Sequence, residues 1–80
     1  NYPNPFNPST NISYYLAKGG YVNITLYDIT GKQLKVFVEG YRPAGYNNFK
    51  FLNFGLASGV YIYKLKAGDY TESRKMVIVK

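Results

Sequence analysis

Aromatic and β-branched residues recur along this chain in short alternating runs. Gly or Asn punctuates them roughly every 8–12 residues, the spacing of an all-β sandwich. No useful window carries apolar residues at i, i+3, i+4 and i+7, so helices are excluded as the main element. The runs place strands at 12–16, 21–27, 33–38, 46–51, 60–66 and 70–79. Eighty residues make a single domain (1–80), with an extended arm over 1–11 and the sandwich over 12–80. The fold expected from this pattern is an all-β antiparallel sandwich of six to seven strands.

Alternation assigns faces. Ile12, Tyr14 and Leu16 point inward from the first strand, and Val22, Ile24 and Leu26 from the second, with Asn23 and Thr25 outward. In the third, Leu34, Val36 and Val38 point inward and Phe37 lies on the other face. Glu39 to Gly45 reads as a loop around Pro43. Phe49 and Phe51 share one face of the fourth strand. Leu56 is an inward anchor in the irregular stretch 53–59. Lys64 and Lys66 must face water, which turns Tyr61, Tyr63 and Leu65 inward. Asp28 and Gly31 mark one turn, because Asp bonds amides two residues on and Gly accepts positive φ. Gly68-Asp69 marks a two-residue hairpin loop, and Gly59 is a further structural turn residue. The last strand is apolar on both faces, with Met76 and Ile78 on one and Val77 and Val79 on the other. That pattern means either burial on both sides or an outer face that meets a partner.

The first ten residues, Asn-Tyr-Pro-Asn-Pro-Phe-Asn-Pro-Ser-Thr, cannot be helical. Pro3, Pro5 and Pro8 fix φ and remove three backbone donors, and each pushes its predecessor toward extended backbone. Tyr2 and Phe6 stand in this stiff segment as anchors, expected to be buried within the subunit or across subunits. The second case makes the chain a homo-oligomer or an open filament joined through its arm. The plain alternative is a linker that carries two rings. The chain begins at Asn1 with neither an initiator Met nor a signal peptide, which suggests a processed product, an excised domain or part of something longer.

Composition removes most catalytic chemistry. There is no His and no Cys, so the usual neutral-pH base and most transition-metal ligand sets are missing. The four acids, Asp28, Glu39, Asp69 and Glu72, sit at turns, a loop edge and a strand. Asp69 and Glu72 read as serving a turn and a cross-strand pair with Arg74 or a lysine. Ser and Thr residues lack a basic partner, so no nucleophile is supported. We expect no enzyme and no cofactor. No apolar run reaches the length of a membrane span. Ten Lys/Arg against four Asp/Glu give a formal charge of +6. The basic residues are scattered, as on a solvated surface, or they attract an anionic partner such as surface polysaccharide. Ten Tyr and five Phe exceed what a core this small needs. A carbohydrate-binding module is therefore a rival reading, and nucleic acid a much weaker one.

Four segments carry a family resemblance: YPNPFNPST at 2–10, VNITLYDITGKQL at 22–34, LASGVYIYKLKAG at 56–68 and RKMVIVK at 74–80. In order and spacing they resemble the type A C-terminal sorting domain of the type IX secretion system. The resemblance implies an immunoglobulin-like sandwich at the extreme C-terminus of proteins exported by Bacteroidota or a neighbouring phylum. It implies transit through the periplasm, reading by the outer-membrane export and surface-attachment machinery, and frequent cleavage as cargo joins the cell surface. It points to Arg74, Lys75, Met76, Val77, Ile78, Val79 and Lys80 as the recognition surface, with the N-terminal motif maintaining fold and spacing. A basic pair followed by a doubly apolar strand is also a segment that another strand can capture.

Overall fold

A computed structural model describes residues 9–52 and 55–79. Six antiparallel strands form two sheets: β1 (Ser9–Leu16), β2 (Gly20–Asp28), β3 (Gln33–Arg42), β4 (Gly45–Leu52), β5 (Gly59–Ala67) and β6 (Tyr70–Ile78). One sheet pairs β1 with β4; the other runs β3-β2-β5-β6. Two tight hairpins lie within the larger sheet. The other three connections cross between layers, and this makes a sandwich of the six strands. Ser9 to Asn11, assigned to the arm by sequence, belong to β1, paired with Leu52, Phe51 and Lys50. The arm anchors Tyr2 and Phe6 lie outside the described residues.

The core forms where the inner faces of the sheets meet. Leu16, Val22, Ile24, Val38, Phe49 and Leu65 make one buried cluster, and Leu26, Phe51, Tyr61 and Ile78 a second. Ile12, Phe37 and Tyr63 pack against both. Leu56 packs on the second from the β4–β5 connection. The Tyr61 hydroxyl donates to the Ala57 carbonyl at 2.7 Å. A tyrosine bonded back to backbone a few residues upstream is the tyrosine corner of immunoglobulin-type sandwiches. It fixes the path on which the chain enters β5.

Strand β3 departs from simple alternation. Ile24 pairs with Val38 but Thr25 with Val36; Leu26 pairs with Lys35 but Tyr27 with Gln33. Phe37 and Leu34 are therefore the extra residues of two bulges, and each bulge resets which residues face the core. Phe37, expected outside, stacks on Phe49 (5.4 Å between centroids) and meets Phe51 edge-on (5.2 Å). Val36, expected inside, is 37% exposed. The loop expected over 39–45 shrinks to Pro43-Ala44, because β3 continues through Arg42 beside β2. Asn47 donates from its side-chain amide to the Pro43 carbonyl at 2.9 Å, bracing that crossing.

Thr25, expected outward and exposed, is only 3% exposed. It does face the outer side of β2, but β2 is an interior strand with Val36 on one flank and Lys64 on the other. The Lys64 ammonium lies 5.0 Å from the Tyr27 ring centre, and long neighbours of this kind cover a small hydroxyl residue. The Thr25 hydroxyl is satisfied locally, donating to the Asn23 side-chain oxygen at 2.6 Å.

Both hairpin turns follow their local chemistry. The Asp28 carboxylate accepts from the Thr30 amide (2.9 Å), the Thr30 hydroxyl (2.6 Å) and the Lys32 amide (3.0 Å). The Gly31 amide donates to the Asp28 carbonyl, with Gly31 at φ 94°. Gly68-Asp69 joins Ala67 to its partner Tyr70, with Gly68 at φ 61°. Gly59 is not in a turn; it opens β5 opposite Ile78.

Candidate functional site

Strand β6 closes one side of the larger sheet. It pairs with β5 from Gly59↔Ile78 to Ala67↔Tyr70, and among the described residues its outer edge has no partner. An open row of backbone donors and acceptors can accept another strand. The two faces of β6 differ sharply. Met76 and Ile78 turn inward onto the second core cluster. Lys75 and Val77 turn outward; Val77 is 60% exposed, and Val79, just past the strand, is 65% exposed. Of the two meanings of the doubly apolar pattern, burial on both sides is thereby excluded.

The first half of β6 is polar on its inner face. The Tyr70 hydroxyl donates to Glu72 Oε1 at 2.9 Å, and Arg74 donates through Nε to Glu72 Oε2 at 2.6 Å. Arg74 Nη2 reaches the same oxygen. The Glu72–Arg74 pair expected across strands thus runs along one strand, between residues two apart that share a face. Hydrogen bonds from Tyr70 and Arg74 hold the Glu72 carboxyl below its ordinary range. The bond to Glu72 raises the Tyr70 hydroxyl. This face looks into a cleft of about 340 Å³ between the sheets, lined from β1 by Ile12 and Tyr14 and from β5 by Tyr63.

The expected recognition residues thus divide. Arg74 is tied to Glu72 on the inner face, Met76 and Ile78 are core, and Lys75, Val77 and Val79 present the outward surface; Lys80 lies outside the described residues. Among the described residues, no group of three acids could hold a metal ion, and no helix is long and apolar enough to cross a membrane. Two exposed tyrosine pairs escaped notice in the sequence: Tyr15 with Tyr46, 5.1 Å between centroids, and Tyr21 with Tyr41, 5.4 Å. Only the β1–β4 and β2–β3 registers bring their members opposite one another.

The model of the secretion system C-terminal sorting domain family matches residues 1–79, nearly the whole chain. The chain belongs to that family. Membership of a C-terminal sorting domain family implies interaction with the secretion machinery. No curated protein and no solved structure gives a significant match.

Proposed function

We propose that this sorting domain directs the protein that carries it through the type IX outer-membrane pathway to the cell surface. In this reading the domain acts without catalysis, as a folded address whose β6 edge and C-terminal residues are bound by the export and attachment machinery. One observation supports it: among the described residues β6 is an open edge whose outward residues, Lys75, Val77 and Val79, are exposed while its inward residues hold it to the core. A partner strand added there would gain main-chain hydrogen bonds, with Val77 and Val79 filling its pockets.

The test is a fusion of residues 1–80 to a periplasmic reporter in a host with type IX export. The fusion should appear on the surface. Removing residues 79 and 80 leaves all six strands intact and should strand the reporter in the periplasm. Equal surface display of both fusions would refute the reading.

The exposed tyrosines support a second, subsidiary reading. Tyr46 is 82% exposed beside Tyr15, and tyrosine rings with an open face stack on sugars. The basic surface would favour an anionic surface polysaccharide. Retention on an anionic-glycan column that Tyr15→Ala/Tyr46→Ala does not reduce would eliminate it.

A further inference from the structure

The large exposed side chains of this domain fall into two groups. Among the described residues, the exposed aliphatics are Ile29, Val36, Val60, Val77 and Val79, and the exposed tyrosines are Tyr15, Tyr21, Tyr41, Tyr46 and Tyr70. Every one of these tyrosines lies within two residues of one of three connections, 17–19, 43–44 and 68–69. The antiparallel registers bring those connections to one end of the sandwich, and none of the exposed aliphatics is there. Rings this exposed add little to the core, so core packing does not account for their gathering.

The end is concave as well as aromatic. A cleft of about 300 Å³ is lined by Tyr15, Leu16, Lys18, Ala67 and Tyr70. A second, of about 480 Å³, is lined by Lys18, Tyr21, Asp69 and Tyr70 among others. Lys18 and Tyr70 thus belong to both. The Tyr15–Tyr46 rings meet at 60° and the Tyr21–Tyr41 rings at 80°. Rings so inclined form corners, and Tyr46 and Tyr41 stay 82% and 78% exposed. A pyranose offers an apolar C–H face and a rim of hydroxyls. Tyrosine matches it with an apolar ring and a polar tip. The core of a protein interface is a continuous apolar patch, and the lack of exposed aliphatics here favours a sugar. Lys18 and Asp69 supply charge, and neither is in an ion pair among the described residues. An ammonium bordering both clefts can meet a sugar carboxylate, while the Asp69 carboxylate can accept from sugar hydroxyls.

We infer that this end of the sandwich binds an acidic oligosaccharide, laid from the Tyr15–Tyr46 pair past Lys18 and Tyr70 to the Tyr21–Tyr41 pair. The inference rests on the glycan reading of Tyr15 and Tyr46 and extends it from one ring pair to a site for several sugars with a cation at its middle. The pairs belong to different sheets, and packed sheets lie about 10 Å apart, so a single sugar does not touch both. Tyr70 and Val77 stand near opposite ends of β6, about 23 Å apart along the strand. A glycan held at the tyrosine end therefore leaves the C-terminal half of β6 uncovered, and the domain can hold glycan and export partner together.

The experiment titrates the whole chain with oligogalacturonates from dimer to hexamer, and with maltohexaose as the uncharged probe, by calorimetry. Affinity should rise with chain length, and the acidic hexamer should bind more tightly than maltohexaose. Tyr15→Ala/Tyr46→Ala and Tyr21→Ala/Tyr41→Ala should each weaken the acidic hexamer about tenfold. Lys18→Gln should weaken it about two- to fivefold and leave maltohexaose unchanged. Thermal melting checks that each variant is folded, as expected for changes at exposed positions. Weakening by Tyr15→Ala/Tyr46→Ala alone would overturn the extended site and leave the single-pair reading standing. Equal binding of the two hexamers would overturn the acidic specificity. Failure of both probes to bind would overturn this inference and the glycan reading together. If Tyr21→Ala/Tyr41→Ala then also abolished surface display of the reporter fusion, the tyrosine end would belong to a protein partner instead.

Discussion

Phe37→Ala should be among the most damaging single changes in this domain, although strict alternation places Phe37 on the solvent face. The ring sits at a bulge, packs against both core clusters, and makes one stacked and one edge-on contact, with Phe49 and Phe51. Truncating a core Phe costs about 3–5 kcal/mol. Partial exposure lowers that figure, while two ring pairs worth about 0.5–1.5 kcal/mol each restore part of it. We expect a loss of about 3–4 kcal/mol. A domain of this length has on the order of 4–12 kcal/mol in all. Val36→Ala removes less apolar surface from a side chain already 37% exposed, and should cost under about 1 kcal/mol. Urea unfolding followed by circular dichroism gives both numbers, with equal m-values confirming that midpoint shifts report stability. If Phe37→Ala leaves too little folded protein, Phe37→Leu against Val36→Ala keeps the ordering measurable. A larger loss at Val36 than at Phe37 would mean that the two bulges are absent and that β3 alternates regularly.

Three further outcomes follow from the same structure. Thr25→Ala should cost about 1–2 kcal/mol in the same assay, since it strips a buried hydroxyl from its bond to Asn23 and leaves Asn23 short of a partner. Tyr61→Phe should cost about 1 kcal/mol by releasing the Ala57 carbonyl, with no change in the sheet's circular dichroism. Stability should also fall on acidification. Asp28 is held below its ordinary 3.8 first by the Thr30 hydroxyl and then by the Lys32 amide. Glu72 is held below 4.5 by Tyr70 and Arg74. Carboxyls with depressed folded pKa values contribute fully above their unfolded values and lose that contribution as pH drops below them. The thermal midpoint should therefore decline below about pH 4.5, and less steeply in Asp28→Asn, which a melting series from pH 6 to pH 2 would check.

What could be read in the sequence was what local chemistry decides. Asp28 and Gly31 specify their turn through bonds spanning four residues, and Gly68-Asp69 does so within two. The alternation of Tyr61, Tyr63 and Leu65 against Lys64 and Lys66 placed the inner face of β5, because lysines leave only one orientation. The bulges at Leu34 and Phe37 could not be read, since a bulge is a mismatch between two strands and β3 alone does not show where β2 skips. Thr25 failed for a related reason: it is flanked by Val36 and Lys64 on the neighbouring strands, neither of them near it in sequence. At the candidate site, the doubly apolar end of β6 was visible, but its meaning depended on how the sheets pack. Val77 is exposed together with Val60, its partner on β5, because that face of the sheet points away from the core. The paired tyrosines likewise arise from register and leave no mark in the chain.

The central claim, that the β6 edge carries the sorting signal, is tested most directly by comparing two edges of the same sheet. Val77→Asp on β6 and Val36→Asp on β3 each place a charge on an exposed position of an outermost strand. Both variants, fused to the reporter and shown by thermal melting to be folded, would be measured for surface display in a host with type IX export. The account predicts loss of display for Val77→Asp alone, with Val36→Asp exported like the wild type. Equal export of the two variants, or loss confined to Val36→Asp, would contradict it.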